Sequence, residues 1–307
     1  MGLKDRRVRV IKPCIGGGFG SKLDTYAYEY IAILLAFYTR RPVKVEFDRT
    51  EEFVATSTRQ PTIAYVSQGC DKNGKLLFRD VSMILDNGAH TSWGATTPHV
   101  MMMVMTTLYR MPNVRYEAKC VYTNNTYAQA MRGYGNPQAT FVVESSMDML
   151  AEAAGIDPAE FRRINANQSG DVSTQGLRIT TCGLEECMDT VKNQLEWDQP
   201  KKEGEGVGMA SLIHVGGGAR VYKSDGCGTM IKMDDFAKVD VFTGATDMGQ
   251  GSDTVIAQIV AEELGLEIED IHVIHSDTDV CPWDVGAHAS RTTFVAGNSA
   301  LGAARKI

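Results

Sequence analysis

The stretch Asp247-Met248-Gly249-Gln250-Gly251-Ser252-Asp253-Thr254 runs without a break into VIAQIVAEELG, residues 255–265. Val255, Ile256, Ile259, Val260 and Leu264 fall on one face at helical spacing. Ser252 or Asp253 can cap that helix and Gly265 can end it. A glycine-rich turn that opens a helix leaves backbone N–H groups unpaired and carrying partial positive charge. Such a junction is a ready seat for an anion.

The same device recurs three times. Gly16-Gly17-Gly18-Phe19-Gly20-Ser21-Lys22 leads into a helical pattern with Ala27, Ile31, Leu34 and Leu35 on one side. Arg132-Gly133-Tyr134-Gly135-Asn136 leads into a helix begun by Pro137, a residue suited to the first helical position. Its buried face reads Ala139, Val142, Val143, Ser146, Met149, Leu150 and Ala153, and Gly155 stops it. Ala289-Ser290-Arg291-Thr292-Thr293 precedes FVAGNSALGAARK, a further predicted helix. Together these junctions imply several helix starts built to hold one large polyanionic ligand.

The chain has 307 residues, 43% hydrophobic and 22% charged, with a formal net charge of −7. That length allows two domains, and the composition is that of a soluble globular protein. The negative charge argues against nucleic acid or an anionic membrane as partner, so an anionic ligand must be held by local donors. The most apolar run, His99 to Leu108 (HVMMMVMTTL), is shorter than the ~20 residues of a membrane span and reads as packed core. MGLKDRRVRV carries no apolar core of a signal peptide. Seven cysteines without CxxC spacing read as reduced, buried thiols of a cytoplasmic protein.

Val8–Lys12 and Pro42–Asp48 alternate as strands on either side of the first glycine loop and its helix. That outline raises a Rossmann dinucleotide unit as an alternative. Against it, GGGFGS lacks the third glycine of GxGxxG, and Asp48 lies beyond the usual ~20 residues from the loop. Thr62–Gln68 and Leu76–Leu85 form a predicted hairpin around Asn73-Gly74. A strand follows at Val114–Tyr122, a helix capped by Asp157 after it, and another helix at Leu184–Trp197. The charged stretch Gln199–Gly206 marks a domain boundary. Beyond it, strands are predicted at 208–215, 229–234, 237–243 and 271–275. Strand pairs and helices alternate without a uniform βα repeat, so the class is α+β, with domains at 1–198 and 207–307.

Taken together, GGGFGSK, AMRGYGNPQ, TDMGQGSDT and SDTDVCPWDVGAHASRTT resemble the molybdopterin-binding large subunit of the xanthine dehydrogenase/aldehyde oxidase family. The resemblance covers essentially the whole chain, yet the chain looks like less than half of such a subunit. It implies two mixed α/β cofactor-binding domains, the second incomplete. It also implies molybdopterin cytosine dinucleotide with molybdenum, and partner chains carrying iron–sulfur clusters and FAD in a hetero-oligomer. By the same resemblance, Gly17, Gly18, Phe19 and Gly20 lie beside the metal's oxo ligand. Gly249, Gln250 and Gly251 face the pterin or its phosphate. Ala289, Ser290, Arg291 and Thr292 line the pterin–phosphate side. Arg132 lies near the cofactor and the substrate pocket, and Tyr134 meets a small planar aromatic substrate. No side chain of this chain is expected to ligate the metal, and no histidine is assigned one.

The family's general-base glutamate has no counterpart here, so it is expected outside this chain, and the chain alone is expected to be inactive. The arginine of xanthine-specific members, a dozen residues before Pro112-Asn113, corresponds to Val100, which counts against a purine. The carbon monoxide dehydrogenase branch needs a cysteine where Met131-Arg132-Gly133-Tyr134 stands. The phrase GGGARVYKSDG, residues 216–226, with PWDVGAHASRTTF, looks most like the large subunit of 4-hydroxybenzoyl-CoA reductase, implying an aromatic CoA-thioester substrate. A non-catalytic cofactor-holding or assembly module is the reading from another class.

Overall fold

A computed structural model describes residues 3–214, 216–217 and 225–307. The chain divides into two compact units: Gly20–Val215, and the residues up to Phe19 together with Gly216–Ile307. The first nineteen residues thus group with the C-terminal part rather than with the rest of 1–198. Their attachment is local. Lys12 N donates to Ser276 O at 3.0 Å and Thr278 N to Val10 O at 3.1 Å, while Arg9 pairs with Asp277. Val8–Lys12 is therefore not a sheet strand but one bridge, Ile11 to Asp277.

In the unit 20–215, β1 (Thr62–Cys70) and β2 (Leu76–Gly88) form the predicted hairpin, with Gly74 at φ 81° in its turn. The turn is fixed by the Asp71 carboxylate, which accepts from Asn73 N and Lys75 N. The chain then enters α3 (Thr97–Thr107), made of the methionine run, and returns as β3 (Val114–Tyr122), parallel to β2. Met101, Val104 and Met105 of α3 are buried, as packed core requires. They meet Val81, Met83 and Leu85 of β2 and the face of α4 (Asn136–Ala154) in one core. That face is Ala139, Val143, Met147 and Ala151, whereas Met149 and Ala153 point outward. The face follows i, i+4 steps along α4, and the predicted stripe is turned too far round. Gly155 ends α4 at φ 67° as expected.

Behind α4 come α5 (Pro158–Asn165), capped by Asp157 through Ala159 N and Glu160 N, and α6 (Leu184–Gln194). Glu144 of α4 is buried and accepts from Tyr109 Oη (2.8 Å), Arg162 Nε (2.7 Å) and Ser211 N (3.0 Å). Residues 208–214 are thus no strand of a second domain; they lie along α4, with His214 Nδ1 2.6 Å from Asn136 Nδ2. Early in this unit, α1 (Ala27–Thr39) precedes α2 (Arg49–Ala55). Between them, Pro42–Asp48 is extended but joins no sheet. With neither flanking segment in a sheet, the Rossmann alternative has no structural basis.

The other unit repeats the plan. β4 (Thr229–Met233) and β5 (Val239–Thr243) form a hairpin, α7 (Ser252–Leu264) crosses over, and β6 (Ile271–Ile274) pairs parallel to β5 before α8 (Thr292–Ala304). Its core joins Val239, Val241, Ile256, Val260, Ala296 and Ala300. Each unit thus reads hairpin, helix, parallel strand, helix, in sheet order β1-β2-β3 and β4-β5-β6. All seven cysteines are free thiols, but Cys14, Cys120 and Cys187 are exposed rather than buried. No helix among the described residues is long and apolar enough to cross a membrane.

Candidate functional site

Strands β5 and β6 are parallel, and His275, just past β6, meets Asp253 in the first turn of α7. Gly244, just past β5, donates to Gly228 O beside Gly226, whose carbonyl accepts from Arg291 at the α8 start. The starts of α7 and α8 therefore both lie at the C-terminal edge of this strand pair. In open α/β sheets that edge is where ligands bind, because helix N-termini and flexible loops gather there.

The loop before α7 is held by its own side chains. The Asp247 carboxylate accepts from Gly249 N at 2.7 Å and from Asp253 N and Ser252 Oγ at 3.3 Å each. Burial pushes this carboxyl up, but the N–H donors of Gly249 and Asp253 and the donors of Ser252 outweigh it, so its pKa falls below the ordinary value. Ser252 or Asp253 is the expected cap; the cap position is Gly251, and Asp247, five residues before Ser252, reaches in. Gln250 closes the loop as a clasp: Nε2 donates to Thr246 O at 2.9 Å and Oε1 accepts from Met248 N at 2.6 Å. Gly249 (φ 109°) and Gly251 (φ 80°) have open space where a side chain would project. A backbone bare of side chains on its outer face fits the close approach of a flat or phosphorylated group.

The first glycine loop packs on this one, since a Cβ at Gly18 would lie 2.9 Å from Met248 Sδ. Lys12 supports the contact, donating from Nζ to Asp247 O at 2.7 Å; nothing in the sequence singles it out. Phe19 has φ 51° and is 60% exposed, its ring folded back over Gly17. The expectation that this loop opens directly into a helix fails. Ser21–Asp24 form turns and bends, and α1 begins only after Tyr26, whose backbone N–H donates to the Glu29 carboxylate at 2.8 Å and whose carbonyl accepts from Glu29 N at 3.0 Å.

Behind the α7 start, His275 Nε2 lies 2.9 Å from Asp253 Oδ2, and His275 Nδ1 lies 2.7 Å from Ser276 Oγ. Burial first, then Asp247, raises the Asp253 carboxyl against the lowering pull of His275 and Lys12.

At the α8 start, Ala289 and Ser290 both hold positive φ, 51° and 52°. Non-glycine residues in that region are strained, and such strain gathers at ligand clamps. Ser290 is exposed and Thr292 half-buried. Arg291 turns the other way. Only 2% exposed, it pairs through Nε with Asp225, through Nη1 with Asp284 (3.0 Å) and Gly286 O (2.8 Å), and through Nη2 with Gly226 O (2.8 Å). Its guanidinium is a strut inside the unit, which corrects the expectation that it faces a phosphate. The backbone and the two hydroxyls of this loop remain to meet an anion.

In the unit 20–215, Gly20 (φ 108°) packs against the Arg132 loop: a Cβ there would lie 2.4 Å from Ala130 O. Arg132 is exposed, and its carbonyl accepts from Arg59 Nη2 at 2.7 Å. Tyr134, at φ 45°, turns its hydroxyl onto Trp93 O and Thr96 Oγ1. The ring is thereby fixed in orientation, which a stacking surface needs. The unit 20–215 also has a cleft of about 670 Å³ whose lining includes Arg79, Asp80, Asn113 and Arg115. Among the described residues no group of three or more His, Cys, Asp or Glu is placed to hold a metal ion.

Comparison with known proteins identifies the family. Residues 1–166 and 184–307 each match the family described as molybdopterin cofactor-binding domain. The putative xanthine dehydrogenase molybdenum-binding subunit of Escherichia coli K12 is 38% identical, over 97% of this chain and 41% of its own length. A probable xanthine dehydrogenase subunit of Bacillus subtilis is 33% identical, over 95% of this chain and 40% of its own. Among solved structures, reconstituted CO dehydrogenase from Oligotropha carboxidovorans superposes with a TM-score of 0.90 at 27% identity, over 99% of this chain and 41% of that one. The chain thus spans about two-fifths of the length of these relatives. These two curated names are those of xanthine dehydrogenase subunits, and they do not support the narrower likeness to 4-hydroxybenzoyl-CoA reductase. Of the phrase that suggested it, residues 218–224 lie outside the described residues. The chain belongs to the molybdopterin-binding large subunits of the xanthine dehydrogenase/aldehyde oxidoreductase family of molybdenum hydroxylases.

Proposed function

We propose that this chain is the cofactor-holding portion of a molybdenum hydroxylase that oxidises or reduces a small planar aromatic substrate. The reading is supported above all by the start of α7. There two glycines at positive φ leave bare backbone, Gly18 packs against the adjoining Met248, and the α8 start shares the same sheet edge. The bound group would supply two-electron redox chemistry and oxygen transfer at its metal.

The residues of the chain bind and orient. Gly17, Gly18 and Phe19 present backbone and one exposed ring. Gly249 and Gly251 let the pterin approach, and Gln250 keeps their loop closed. Backbone donors of Ala289 and the hydroxyls of Ser290 and Thr292 meet the phosphates, each helix start facing an anion contributing roughly 0.3–1 kcal/mol. Arg291 acts through the loop it braces. Within the unit 20–215, the family resemblance assigns Gly20 and Arg132 to the cofactor and Arg132 and Tyr134 to the substrate. The dinucleotide form of the pterin, the iron–sulfur and FAD subunits and the base glutamate come with this reading. An aromatic CoA thioester is the second substrate class, resting on the likeness of residues 216–226 and of PWDVGAHASRTTF.

The test is metal and pterin content of the assembled enzyme carrying Gln250→Ala or Ser290→Ala. Both variants are expected to fold normally and to retain less molybdenum and pterin. Unchanged content in both would remove these loops from cofactor binding.

A further inference from the structure

We propose that His275 is a positioning residue for the α7 loop, on the reading of that loop as a seat for the cofactor. By holding Asp253 aside, it leaves the Asp247 carboxylate free to keep Gly249–Gly251 in shape. The histidine is fixed at both ring nitrogens: Nδ1 lies 2.7 Å from Ser276 Oγ and Nε2 lies 2.9 Å from Asp253 Oδ2. Ser276 stands just past β6 at φ 62°, and its carbonyl accepts from Lys12 N at 3.0 Å. A non-glycine residue keeps such a conformation only where its surroundings enforce it. Here it sets the serine hydroxyl against the ring.

Asp253, in the first turn of α7, depends on that ring. Its other oxygen, Oδ1, is buried without a hydrogen-bond partner among the described residues. A second carboxylate adjoins it, since Asp247 Oδ2 accepts from Asp253 N at 3.3 Å. Two carboxyl groups so placed resist ionising together, and a shared proton relieves the repulsion. Burial raises the Asp253 carboxyl, His275 pulls it down, Asp247 raises it and Lys12 lowers it. The charged groups facing it are thus His275 from the end of β6, Asp247 from the loop and Lys12 from the N-terminal segment. Without His275, Asp253 takes up a proton more readily and gains a donor of its own for Asp247. That donor competes with Gly249 N, Asp253 N and Ser252 Oγ, the groups through which Asp247 shapes the loop.

The test follows bound pterin and molybdenum in the assembled enzyme, wild type and variant, during dialysis from mildly alkaline to acid pH. Retention needs ionised Asp253, so it is complete at high pH and lost as pH falls through the Asp253 transition. His275→Ala removes the charge that lowers that transition, so the midpoint for pterin loss should rise by about one pH unit. At a fixed acid pH this is a loss of pterin on the order of tenfold faster than from the wild type. His275→Gln keeps an N–H opposite Asp253 and should recover most of the difference. Asp253→Asn cannot titrate, so its rate of pterin loss should be flat across the same range. A His275→Ala midpoint equal to the wild type's would overturn the proposal. So would a His275→Gln enzyme no better than His275→Ala, or an Asp253→Asn enzyme that keeps the pH dependence. Gln250→Ala separates the two levels of the claim. Pterin kept by Gln250→Ala defeats the cofactor seat, and the role of His275 with it. Pterin lost by Gln250→Ala but held by His275→Ala defeats the role of His275 alone.

Discussion

Arg291 Nη1 lies 3.0 Å from one carboxylate oxygen of Asp284 and 3.1 Å from the other, at the base of the loop whose Ser290 is exposed. The sequence offers Arg291 as a phosphate ligand, and the structure makes it the brace of that loop. Removing one member of a buried ion pair strands the other charge, a cost of about 3–5 kcal/mol. Arg291→Met should therefore lower the melting temperature markedly, as should Asp284→Leu. A phosphate-binding arginine at the surface would instead leave melting unchanged and alter cofactor content alone.

Gly20 and Gly249 separate folding from binding. Each has positive φ, so a side chain costs about 1–2 kcal/mol at either site. At Gly20 the new Cβ would also meet the backbone of Ala130 at 2.4 Å, and overpacking of that kind adds about 1–3 kcal/mol. At Gly249 it meets nothing. Gly20→Ala should thus reduce stability well beyond Gly249→Ala, whereas Gly249→Ala should lose cofactor while still folded. Thermal denaturation paired with metal analysis distinguishes the two.

Glu144 is the junction of its unit, receiving Tyr109, Arg162 and Ser211 in a buried setting. Glu144→Gln leaves Arg162 with Asp148, whose side chain is half exposed. A loss of about 3 kcal/mol or more is expected by urea denaturation. The 211–214 segment should become susceptible to limited proteolysis before the rest of the unit.

His288 gives the loop a pH dependence. Burial, then the Arg291 charge, lowers its pKa, and Asp225 and Asp284 only partly offset them. The unfolded chain therefore takes up the proton first as pH falls. The contribution is fully present above the ordinary value of about 6.5 and is lost as pH falls through the lower folded value. His288→Asn should flatten the decline in melting temperature between about pH 7 and pH 5.

The elements legible in the sequence are those whose signals are local. Asn73-Gly74 fixes its hairpin, Asp157 caps α5, and Gly155 and Gly265 end their helices, each by a rule acting within a few residues. Three of the four candidate loops were legible through glycines that take positive φ, whereas the fourth, 289–293, has no glycine and takes positive φ at Ala289 and Ser290. What escaped depends on distant partners. The methionine run discloses burial but not that it is the crossover making β3 parallel to β2. Arg291 reads the same whether its guanidinium faces solvent or Asp225 and Asp284. Val8–Lys12 and Pro42–Asp48 carry strand patterns without ladders among the described residues, because periodicity reports a preferred face and not the neighbour that pairs with it.

The central claim, that these glycine loops hold a molybdopterin, is tested most directly by pterin and molybdenum analysis of the enzyme purified with its partners and without added cofactor. The account predicts oxidised pterin and molybdenum both equimolar with this chain, and both depleted by Gly249→Ala. Fully active enzyme without pterin, or with pterin untouched by substitutions in all of these loops, would contradict it.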